Sequence, residues 1–506
     1  MSTAFDPEHG RPPILLAALL SICSGALFFF GTGLNPIASL TWMAPVPVLW
    51  LAPRVGARVA GIAAFVAYLA GTTNIAGYYL SELGLPVLGI AGVVLGTSAL
   101  FCAAVMAFRG LIARERLTLA ALTFAATLAA AEYAVATVAP GGANWSLAPS
   151  QASFLVIVQV VSATGIWGLS FLVAFVPAAA AAFLAPGAPR TARLRVAVVA
   201  SAMVATSLSY GVVRLTRDDG NAAIHVALVS THLPASSPVV DVRDEAGQQL
   251  LGADIAALGQ LRQGTDVAVF PEKDLIVDDR NLPDVSARFS AAARASHVSV
   301  VVGLELHASG RIYNMALVYP ASGGSPTSYR KQYLLPGAED DLTTGHTDAF
   351  ASIGGHRIGV AICADMGHPI LGRSYARGGA VLMLVPALDF TVDKTSQSRV
   401  QYLRGVENGY GVARTARWGY LTVTDPRGRL LAQRPADDGS AATVVSATVP
   451  LRSATTLYTR WGDWFAWLCL LIALVGAGSL LWRPRGRRPE DAIARWGTPF
   501  VHVYDY

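Results

Sequence analysis

The chain has 506 residues, of which 53% are hydrophobic and only 14% are charged, and this composition excludes a single water-soluble globular protein. The formal net charge of +5 comes largely from arginines beside apolar segments, which indicates membrane topology and not a nucleic-acid partner. Charged residues are frequent in residues 224–452, whereas Glu132 is the only one between Leu117 and Gln151. We therefore expect a membrane-embedded part joined to a water-soluble part.

Eight apolar runs approach or exceed the length of about 20 residues that a transmembrane helix requires. In chain order, the runs are Pro13–Gly31, Asn35–Ala52, Val59–Gly77, Pro86–Phe108, Leu117–Ala139, Ser153–Leu184, Val196–Val213 and Trp464–Trp482. No small-residue cleavage pattern follows the first run, so we interpret it as a retained helix and not as a signal peptide. The sixth run is longer than one span needs, and the sequence does not define its ends.

Arginines cluster in alternate loops between these runs. They are Arg54 and Arg58, then Arg109, Arg114 and Arg116, then Arg190, Arg193 and Arg195, and finally Arg483, Arg485, Arg487 and Arg488. The intervening loops, Tyr78–Leu85 and Pro140–Gln151, carry no Lys or Arg. Because positively charged loops stay in the cytoplasm, the pattern predicts that both termini are cytoplasmic and that the water-soluble region lies outside the cytoplasm.

This topology divides the chain into three predicted parts: a transmembrane domain of seven spans (1–218), a water-soluble domain (219–452), and a final span with a cytoplasmic tail (453–506). In the water-soluble domain, strand and helix patterns alternate. The predicted strands are Ile224–Ser230, Asp266–Pro271, Val298–Glu305, Ile312–Tyr319, Ile358–Ile362, Ala380–Pro386, Tyr420–Thr424 and Ala442–Val449, and helical spacing marks Leu250–Leu261 and Val400–Val406. This order predicts an α/β domain with a layered αββα sandwich.

The spacing of the four cysteines forms no disulfide framework and no CxxC metal site, so we expect neither a metal nor another cofactor. Cys363 is the cysteine of the water-soluble domain, and the apolar run Ile358–Ile362 delivers it to a turn. A thiolate is a nucleophile for acyl transfer, and the backbone N–H groups of Ala364 and Asp365 can stabilise an oxyanion. A free cysteine is more often simply a small buried apolar residue, so this stretch alone leaves both interpretations open.

Two other predicted strand ends present ionisable groups, Glu272 after VAVFP and Lys331 before QYLLP. Glu272 can act as the general base for the thiol, and Lys331 can stabilise the thiolate and the oxyanion. Cys363 would then carry the covalent acyl intermediate. A glutamate and a lysine more often form a surface pair, and Lys273 is an alternative cation; spacing alone excludes neither interpretation.

The order of FPEK, YRKQYLLPGAE and ICADMGHP along the chain resembles the Glu–Lys–Cys signature of the nitrilase superfamily. The resemblance implies that Glu272, Lys331 and Cys363 are the catalytic residues. It also implies that Glu339 is a second glutamate, which supports the lysine and helps to position the nucleophile. The motifs LRGVEN and DPRG, further along the chain, resemble the helix and the hairpin that follow the cysteine in that superfamily.

Together with the membrane part, the chain resembles one particular family of this superfamily. Seven spans, an external nitrilase-like domain and one further span are the layout of the apolipoprotein N-acyltransferase family, and Gly77–Pro86 and Gly141–Leu172 resemble its loops and spans. The resemblance implies a bacterial inner-membrane enzyme that takes a fatty acyl chain from a phospholipid onto Cys363 as a thioester. The N-terminal amine of a diacylglyceryl-cysteine lipoprotein then accepts the chain. Membrane lipids are therefore the expected surroundings, with no nucleic acid.

Several residues near the predicted site depart from that family's pattern. Ser230–His232 stands where Gln–Gly–Asn is usual, and Phe270 replaces a Trp. Ala364 and Asp365 replace a Tyr and a Glu, and residues 385–390 (VPALDF) lack a Ser–Asn–Asp–aromatic pattern. The departures leave the three predicted catalytic residues in place, so they bear on the identity of the substrate more than on the reaction class. One alternative is therefore a divergent paralogue that acylates another amine. The others are a membrane-anchored amidase or nitrilase-type hydrolase and a non-catalytic scaffold.

Overall fold

The computed structural model describes residues 12–217, 222–232, 239–452 and 455–482. The helices are α1 Pro12–Gly31, α2 Ala38–Met43, α3 Val46–Leu51, α4 Ala57–Thr72, α5 Val87–Ile112, α6 Leu117–Val138, α7 Leu155–Val158, α8 Val161–Thr164, α9 Ile166–Phe183, α10 Arg190–Thr216, α11 Glu245–Leu258, α12 Leu282–Ser296, α13 Pro369–Arg377, α14 Lys394–Asn408, α15 Leu457–Trp461 and α16 Trp464–Leu481. The strands are β1 Ala223–Thr231, β2 Val240–Asp241, β3 Val267–Val269, β4 Leu275–Asp278, β5 Ser299–Ala308, β6 Arg311–Tyr319, β7 Thr327–Arg330, β8 Ala349–Ile353, β9 His356–Val360, β10 Leu382–Leu388, β11 Gly411–Arg417, β12 Tyr420–Thr424, β13 Leu430–Pro435 and β14 Ala442–Pro450. The arginines predicted to follow the last span, Arg483, Arg485, Arg487 and Arg488, lie outside the described residues.

Seven helical segments of the described ranges are long and apolar enough to cross a membrane. They are α1, α4 with the helical turns that follow it, α5, α6, α9, α10 and α16. Each overlaps one of the eight predicted runs. The membrane part is therefore the polytopic helical domain that the sequence predicts.

The remaining predicted span, Asn35–Ala52, is divided into α2 and α3. Pro45 lies between them and has no N–H to donate to the preceding turn. The backbone of Ala44 and Pro45 nevertheless keeps right-handed helical torsion angles, so the two helices follow one path. That path begins where the Ala38 carbonyl accepts a hydrogen bond from Gln151, and it ends at the opposite end of the bundle. In place of the predicted second span, the described residues thus contain two short consecutive helices, neither of which is long enough to cross a membrane by itself.

The described arginine loops lie together at one end of the bundle. Arg54 donates to the Leu184 carbonyl at 2.7 Å, and Arg114 donates to the Leu480 carbonyl at 2.6 Å. The loops without Lys or Arg lie at the other end, where the Ala143 N–H donates to a carbonyl of the water-soluble domain at 2.9 Å. The arginines and the water-soluble domain are therefore at opposite ends, and the side of the membrane that each occupies stays a prediction.

The water-soluble domain is a sandwich of two sheets with helices on its outer faces. The first sheet has the order β14-β1-β3-β5-β4-β2, with β6 paired to β5 and β7 paired to β6. The second has the order β13-β12-β11-β10-β9-β8. Side chains of both sheets, such as Val226, Val301, Ile358 and Leu384, are buried together between them. α11 and α12 pack on the first sheet, and α14 packs on the second. This architecture confirms the predicted αββα sandwich.

Helix α14 lies between the second sheet and the membrane part. Leu403 and Val406 of α14 are buried in one cluster with Ile157 of α7. Glu407, also on α14, accepts the N–H of Ile166 at 2.6 Å. Ile166 is the first residue of α9, and the positive end of a helix dipole favours a carboxylate there. These contacts hold the α14 side of the sandwich against the bundle.

Several predicted elements differ in length from the observed ones, and three of these differences bear on the site and the spans. The run Ser153–Leu184 contains α7, α8 and α9, and Gly165, with φ of 68°, separates the spanning helix α9 from the two short helices. Strands β3 and β9 end two residues earlier than predicted, at Val269 and Val360. The predicted glutamate and cysteine therefore follow short turns, not the strands directly.

The structure also contains elements that the sequence patterns did not predict, namely β2, β4, β7, β8, β11, β13, α12, α13 and α15. Strand β11 is fully buried although it contains Arg414 and Arg417, because Asp389 and Asp274 pair with them. Strand β13 is largely exposed and lacks the apolar alternation of a half-buried strand. Local apolar patterning misses strands whose burial depends on distant partners.

Candidate active site

Glu272 follows strand β3, and its backbone lies directly against strand β5. A Cβ atom on Gly303 of β5 would be 2.6 Å from the Cα of Glu272, so this close approach requires glycine. The Gly303 N–H donates to the Pro271 carbonyl at 3.1 Å. Glu272 is consequently held just beyond the C-terminal end of β3, an interior strand of the first sheet, with only 2% of its surface exposed.

Four buried side chains form a connected polar cluster. Lys331 Nζ donates to Glu272 Oε1 at 2.8 Å and to Glu339 Oε2 at 2.7 Å. Asn314 Nδ2 donates to the same two carboxylates, at 2.6 Å to Glu272 and 2.9 Å to Glu339. Burial acts to lower the pKa of Lys331, but the two carboxylates outweigh it and raise that pKa well above its usual range. The ammonium group therefore stays charged between the two glutamates.

Lys273, the alternative cation of the sequence analysis, contacts the far side of the same cluster. Its Nζ lies 3.3 Å from Glu339 Oε1. Burial by itself would raise the pKa of Glu339, yet Lys331 and Lys273 together lower it to about 2. Of these two lysines, Lys331 is the one whose ammonium group is bonded to Glu272.

Cys363 opens a short 3₁₀ turn directly after Ile362. Its φ of 42° lies in the left-handed region, which costs a residue with a side chain about 1–2 kcal/mol and is found most often at functional sites. The sulfur lies 3.9 Å from the Leu388 carbonyl, and the Leu388 N–H donates to Glu272 Oε2 at 2.7 Å. The thiol and the carboxylate thus approach the same residue at the end of strand β10.

The electrostatic surroundings of Cys363 favour a protonated thiol at rest. Burial and the Glu272 carboxylate raise the pKa of Cys363 well above its usual range, whereas Lys331 acts to lower it. A thiolate, the nucleophilic form of cysteine, then forms only when a base takes the proton. A neighbouring carboxylate and ammonium group can supply that base and stabilise the sulfur's negative charge.

The Asp365 side chain binds both segments that carry the predicted lysine and cysteine. Its Oδ2 accepts from the Tyr329 hydroxyl at 2.7 Å and from the Ile362 N–H at 2.9 Å. Its Oδ1 accepts from the N–H groups of Gln332 at 3.1 Å and Tyr333 at 2.9 Å. One carboxylate therefore sets the distance between the end of β7 and the turn after β9.

The two amides predicted to stabilise an oxyanion, those of Ala364 and Asp365, have different surroundings in this turn. The Asp365 N–H donates to the Ile362 carbonyl at 3.0 Å and so belongs to the turn itself. Ala364, which lies between Cys363 and Asp365, is buried beside the sulfur-bearing residue. Ala364 is therefore the residue whose amide stays available for the predicted contact with an oxyanion.

A second buried cluster, which the sequence analysis missed, holds the backbone of Cys363. Gln401 Nε2 donates to the Cys363 carbonyl at 3.1 Å, and Arg414 Nε donates to Gln401 Oε1 at 2.8 Å. Arg414 also forms a two-bond ion pair with Asp389. An arginine inside the otherwise apolar stretch GVARTA was the available signal, because a buried charge requires a partner.

Comparison with known proteins gives matches along nearly the whole chain. The family model of the apolipoprotein N-acyltransferase N-terminal domain matches residues 24–179, and that of carbon-nitrogen hydrolase matches residues 225–458. The apolipoprotein N-acyltransferase of Geobacter metallireducens is 25% identical over 501 residues, covering 91% of this chain and 94% of that protein. The chain belongs to the apolipoprotein N-acyltransferase family. It is thereby a member of the nitrilase superfamily, as the resemblance implied.

Shorter matches involve amidases. The omega-amidase of Pongo abelii is 28% identical over 163 residues, which are 28% of this chain and 58% of that protein. A solved amidase from Nesterenkonia sp. aligns with 45% of this chain and 90% of its own, at a TM-score of 0.38 and 20% identity. Among these relatives, it is the acyltransferase that also matches the membrane part.

In this apolipoprotein N-acyltransferase family member, loops of the membrane part cover the side of the sandwich that bears the candidate site. The Tyr78 hydroxyl donates to Asp393 Oδ2 at 2.8 Å, and the Tyr78 ring lies edge-on to Phe390 with centroids 5.9 Å apart. Trp145 packs against both Tyr78 and Tyr79. These aromatic side chains form a wall, defined here as the Tyr78–Trp145–Phe390 wall, where the bundle meets the domain.

A second contact joins the turn that Cys363 opens to the loop after α6. His368 Nε2 lies 3.0 Å from the Pro140 carbonyl, so this nitrogen is the donor, and the imidazole stacks on Tyr333 with centroids 3.6 Å apart. Burial lowers the pKa of His368 to about 4. The neutral imidazole therefore helps to hold the membrane loop on the turn that Cys363 opens.

The residues that depart from the usual acyltransferase pattern after β1 are engaged with the domain's own scaffold. The Thr231 hydroxyl donates to Asp254, and His232 Nε2 lies 2.6 Å from Asp437. Phe270 is buried beside Phe289 in the core between the first sheet and its helices. These three departures therefore contact the scaffold of the domain, whereas Ala364, Asp365 and residues 385–390 depart from the pattern at the candidate site itself. The Lys331 cluster is assembled in the presence of both sets.

Proposed function

We propose that this protein transfers a fatty acyl chain from a membrane phospholipid to the N-terminal amine of a diacylglyceryl-cysteine lipoprotein, through a thioester on Cys363. The observation that carries the proposal is the Lys331 ammonium bonded to Glu272, with Cys363 and Glu272 converging on Leu388. The acyltransferase relative that matches 91% of the chain supports acyl transfer to lipoproteins. The proposed catalytic residues are Glu272, Lys331 and Cys363, and the proposed supporting residues are Glu339, Ala364 and Asp365.

In the first half-reaction, Glu272 takes the thiol proton of Cys363, and the thiolate attacks the ester carbonyl carbon of a phospholipid. The Lys331 ammonium and the Ala364 N–H stabilise the developing oxyanion. The ester C–O bond then breaks, and the departing alkoxide of the lysophospholipid takes the proton from Glu272. A thioester on Cys363 and a free lysophospholipid result.

In the second half-reaction, the lipoprotein amine attacks the thioester carbonyl and forms the amide bond as the C–S bond breaks. Glu272 takes a proton from the attacking amine and returns it to the departing sulfur of Cys363. Water in place of the amine would hydrolyse the thioester. The Tyr78–Trp145–Phe390 wall supports transfer over hydrolysis, because an apolar surround limits the access of water.

The membrane part gives this chemistry its location. Both proposed substrates keep their acyl chains in the bilayer, and a domain attached to spans at both ends stays at the bilayer surface. Since the described arginine loops lie at the far end of the bundle, the positive-inside rule supports a catalytic domain on the extracytoplasmic side of a bacterial inner membrane. The division into residues 1–218, 219–452 and 453–506 belongs to the same proposal.

A second candidate function is amide hydrolysis at the same site. The match to an omega-amidase over part of the chain favours it. In this case, water replaces the lipoprotein amine, the acyl donor is an amide, and no phospholipid is consumed. A divergent paralogue that acylates a different amine would instead keep the phospholipid step.

Intact-mass analysis of the full-length protein after incubation with phospholipid vesicles separates these functions. We expect one fatty acyl group on the wild type, and we expect a diacylated lipopeptide with a free N-terminal amine to remove it. Cys363→Ala should stay unmodified, whereas Cys469→Ala, which changes a buried cysteine of the last span, should acylate normally. Acyl transfer by Cys363→Ala would overturn the mechanism, and amide hydrolysis without any acylation would favour the amidase.

A further inference from the structure

Lysine is rare in this chain, and two lysines meet at one carboxylate. Only three of the 38 Lys and Arg residues are lysines, namely Lys273, Lys331 and Lys394. Lys331 and Lys273 contact different oxygens of Glu339, at 2.7 Å and 3.3 Å. The chain otherwise uses arginine for its cations, so the compact ammonium charge is concentrated at this cluster.

The backbone places Lys273 at this position at a conformational cost. Its φ of 48° lies in the left-handed region, which disfavours a residue with a side chain by about 1–2 kcal/mol. The Lys273 side chain is only 13% exposed, and that of Glu339 only 3%. A buried charge without a partner is strongly unfavourable. Lys331 pairs with both Glu272 and Glu339, so Lys273 supplies the second positive charge that the two carboxylates require.

The charges of the cluster can be counted. Glu272 and Glu339 carry two negative charges, and Lys331, bonded to both, carries one positive charge. With Lys273 the four groups sum to zero. Without Lys273 the cluster would hold one net negative charge next to the site where the Cys363 thiolate has to form.

We propose that Lys273 is a positioning residue that offsets the charge of Glu339 and thereby leaves more of the positive charge of Lys331, which is bonded to both glutamates, to Glu272 and the Cys363 sulfur. This inference rests on the proposed function in one respect, that the Cys363 thiolate is the nucleophile. Lys273 acts through Glu339 and Lys331, and it takes no part in the bonds that form and break. Its predicted effect is on the ease of thiolate formation.

The pH dependence of Cys363 alkylation measures the ease of thiolate formation, and the measurement requires no lipid substrate. The ionisable groups that face Cys363 are Glu272 and Lys331 from the first sheet, Asp389 and Arg414 from the second, and Tyr78 from the membrane part. A substitution at Lys273 changes none of these five groups. The full-length protein in detergent is treated with iodoacetamide from pH 5 to pH 10, and mass spectrometry follows the rate at which the Cys363 peptide is alkylated. Because the pKa of Cys363 lies well above its usual range, a shift of the midpoint is measured as a displacement of the logarithm of this rate along the pH axis below the midpoint.

We expect the midpoint of alkylation in Lys273→Met to rise by about one pH unit, which slows alkylation about tenfold at a pH below both midpoints. Lys273→Arg keeps the charge and should restore the wild-type midpoint. Lys394→Met, at a lysine that stacks over Tyr420 away from the cluster, is the matched control and should leave the midpoint in place.

An unchanged midpoint in folded Lys273→Met would overturn the inference. If that variant does not fold, Lys273→Gln carries the same expectation, since it keeps a hydrogen-bond donor and loses the charge. Failure of the proposed function is a separate result: a wild type that transfers no acyl group can still show the Lys273-dependent midpoint. Conversely, if the protein transfers acyl groups but the alkylation midpoint of Lys273→Gln equals that of the wild type, the inference about Lys273 is wrong and the proposed function stands.

Discussion

The carboxylate of Asp365 accepts the hydroxyl hydrogen bond of Tyr329 at 2.7 Å and so joins the two sheets at the candidate site. Tyr329 lies on β7 of the first sheet, two residues before Lys331, and Asp365 lies two residues after Cys363 of the second. The two reactive groups come from separate sheets. Their spacing therefore depends on this contact and on the three backbone N–H groups that the same carboxylate accepts.

Asp365→Asn tests this link. The amide offers only one acceptor oxygen where the carboxylate offers two, so one pair of donors loses its partner. We expect a loss of about 2–4 kcal/mol in stability and a fall of at least tenfold in acyl-enzyme formation. Tyr329→Phe removes a single hydrogen bond and should cost about 1–2 kcal/mol. Thermal unfolding and intact mass measure both effects, and wild-type acylation by Asp365→Asn would contradict the assignment.

Lys331→Met should abolish thioester formation, because no ammonium group then stabilises the thiolate or the oxyanion. It also leaves Glu272 and Glu339 buried without their shared cation, which we expect to cost about 3–5 kcal/mol. The destabilisation should be smaller at low pH, where one of the two carboxyl groups can bind a proton. Acylation and thermal unfolding at pH 5 and pH 8 measure this, with Lys394→Met as the control. Normal thioester in Lys331→Met would remove this lysine from the mechanism.

Gly142→Ala tests the contact between the loop after α6 and the catalytic turn. Gly142 has φ of 56°, and a Cβ there would lie 2.6 Å from the Gly367 carbonyl oxygen. Gly84 has a similar φ of 61° with open space around it, so Gly84→Ala carries the conformational cost alone, about 1–2 kcal/mol. We expect Gly142→Ala to be less stable than Gly84→Ala and to lose acyl transfer. Equal behaviour of the two variants would show that the loop contact does not matter.

The pH dependence of stability should reveal His368. Burial lowers its pKa in the folded protein to about 4, below the usual 6.5, so folding favours the neutral imidazole. The resulting stability is fully present above pH 6.5 and is lost as the pH falls from 6.5 towards 4. This loss is at most about 3 kcal/mol. His368→Phe keeps the stacking on Tyr333 but does not titrate, so the wild type should lose more thermal stability than this variant over that range. Parallel curves would exclude the effect.

The proposed orientation predicts which surfaces are accessible from outside the cell. Ala57 lies exposed beside the arginine loop at Arg54, and Ser325 lies exposed on the water-soluble domain. A membrane-impermeant maleimide should label Ser325→Cys in intact spheroplasts, and it should label Ala57→Cys only after permeabilisation. The wild type, labelled in the same way, reports the background of the native cysteines. The reverse pattern would place the catalytic domain in the cytoplasm.

Much of the architecture could be predicted because its signals are local. The length of an apolar run and the position of arginines such as Arg54 and Arg114 lie within single stretches of chain, and they predicted the spans. The ends of short apolar runs marked Glu272, Lys331 and Cys363 as candidates, and the resemblance to the nitrilase superfamily selected these three as a set. Asn35–Ala52 was the partial exception, because Pro45 breaks the hydrogen bonding of a helix whose composition alone is that of a span.

Only the tertiary structure decided how these residues are joined. Three features depend on contacts between segments far apart in the chain. They are the ion pair of Glu272 with Lys331 and not with Lys273, the hydrogen bonds of Asn314 to two glutamates, and the contact of Gln401 with Cys363. Such contacts depend on sheet register and on how the bundle packs against α14, and a periodic pattern of apolar residues carries no information about either. By itself, the sequence determined which segments enter the membrane and which strand ends bear reactive groups. The folded chain decided which charges neutralise one another, because electrostatic energy depends on distances of a few ångströms that only packing sets.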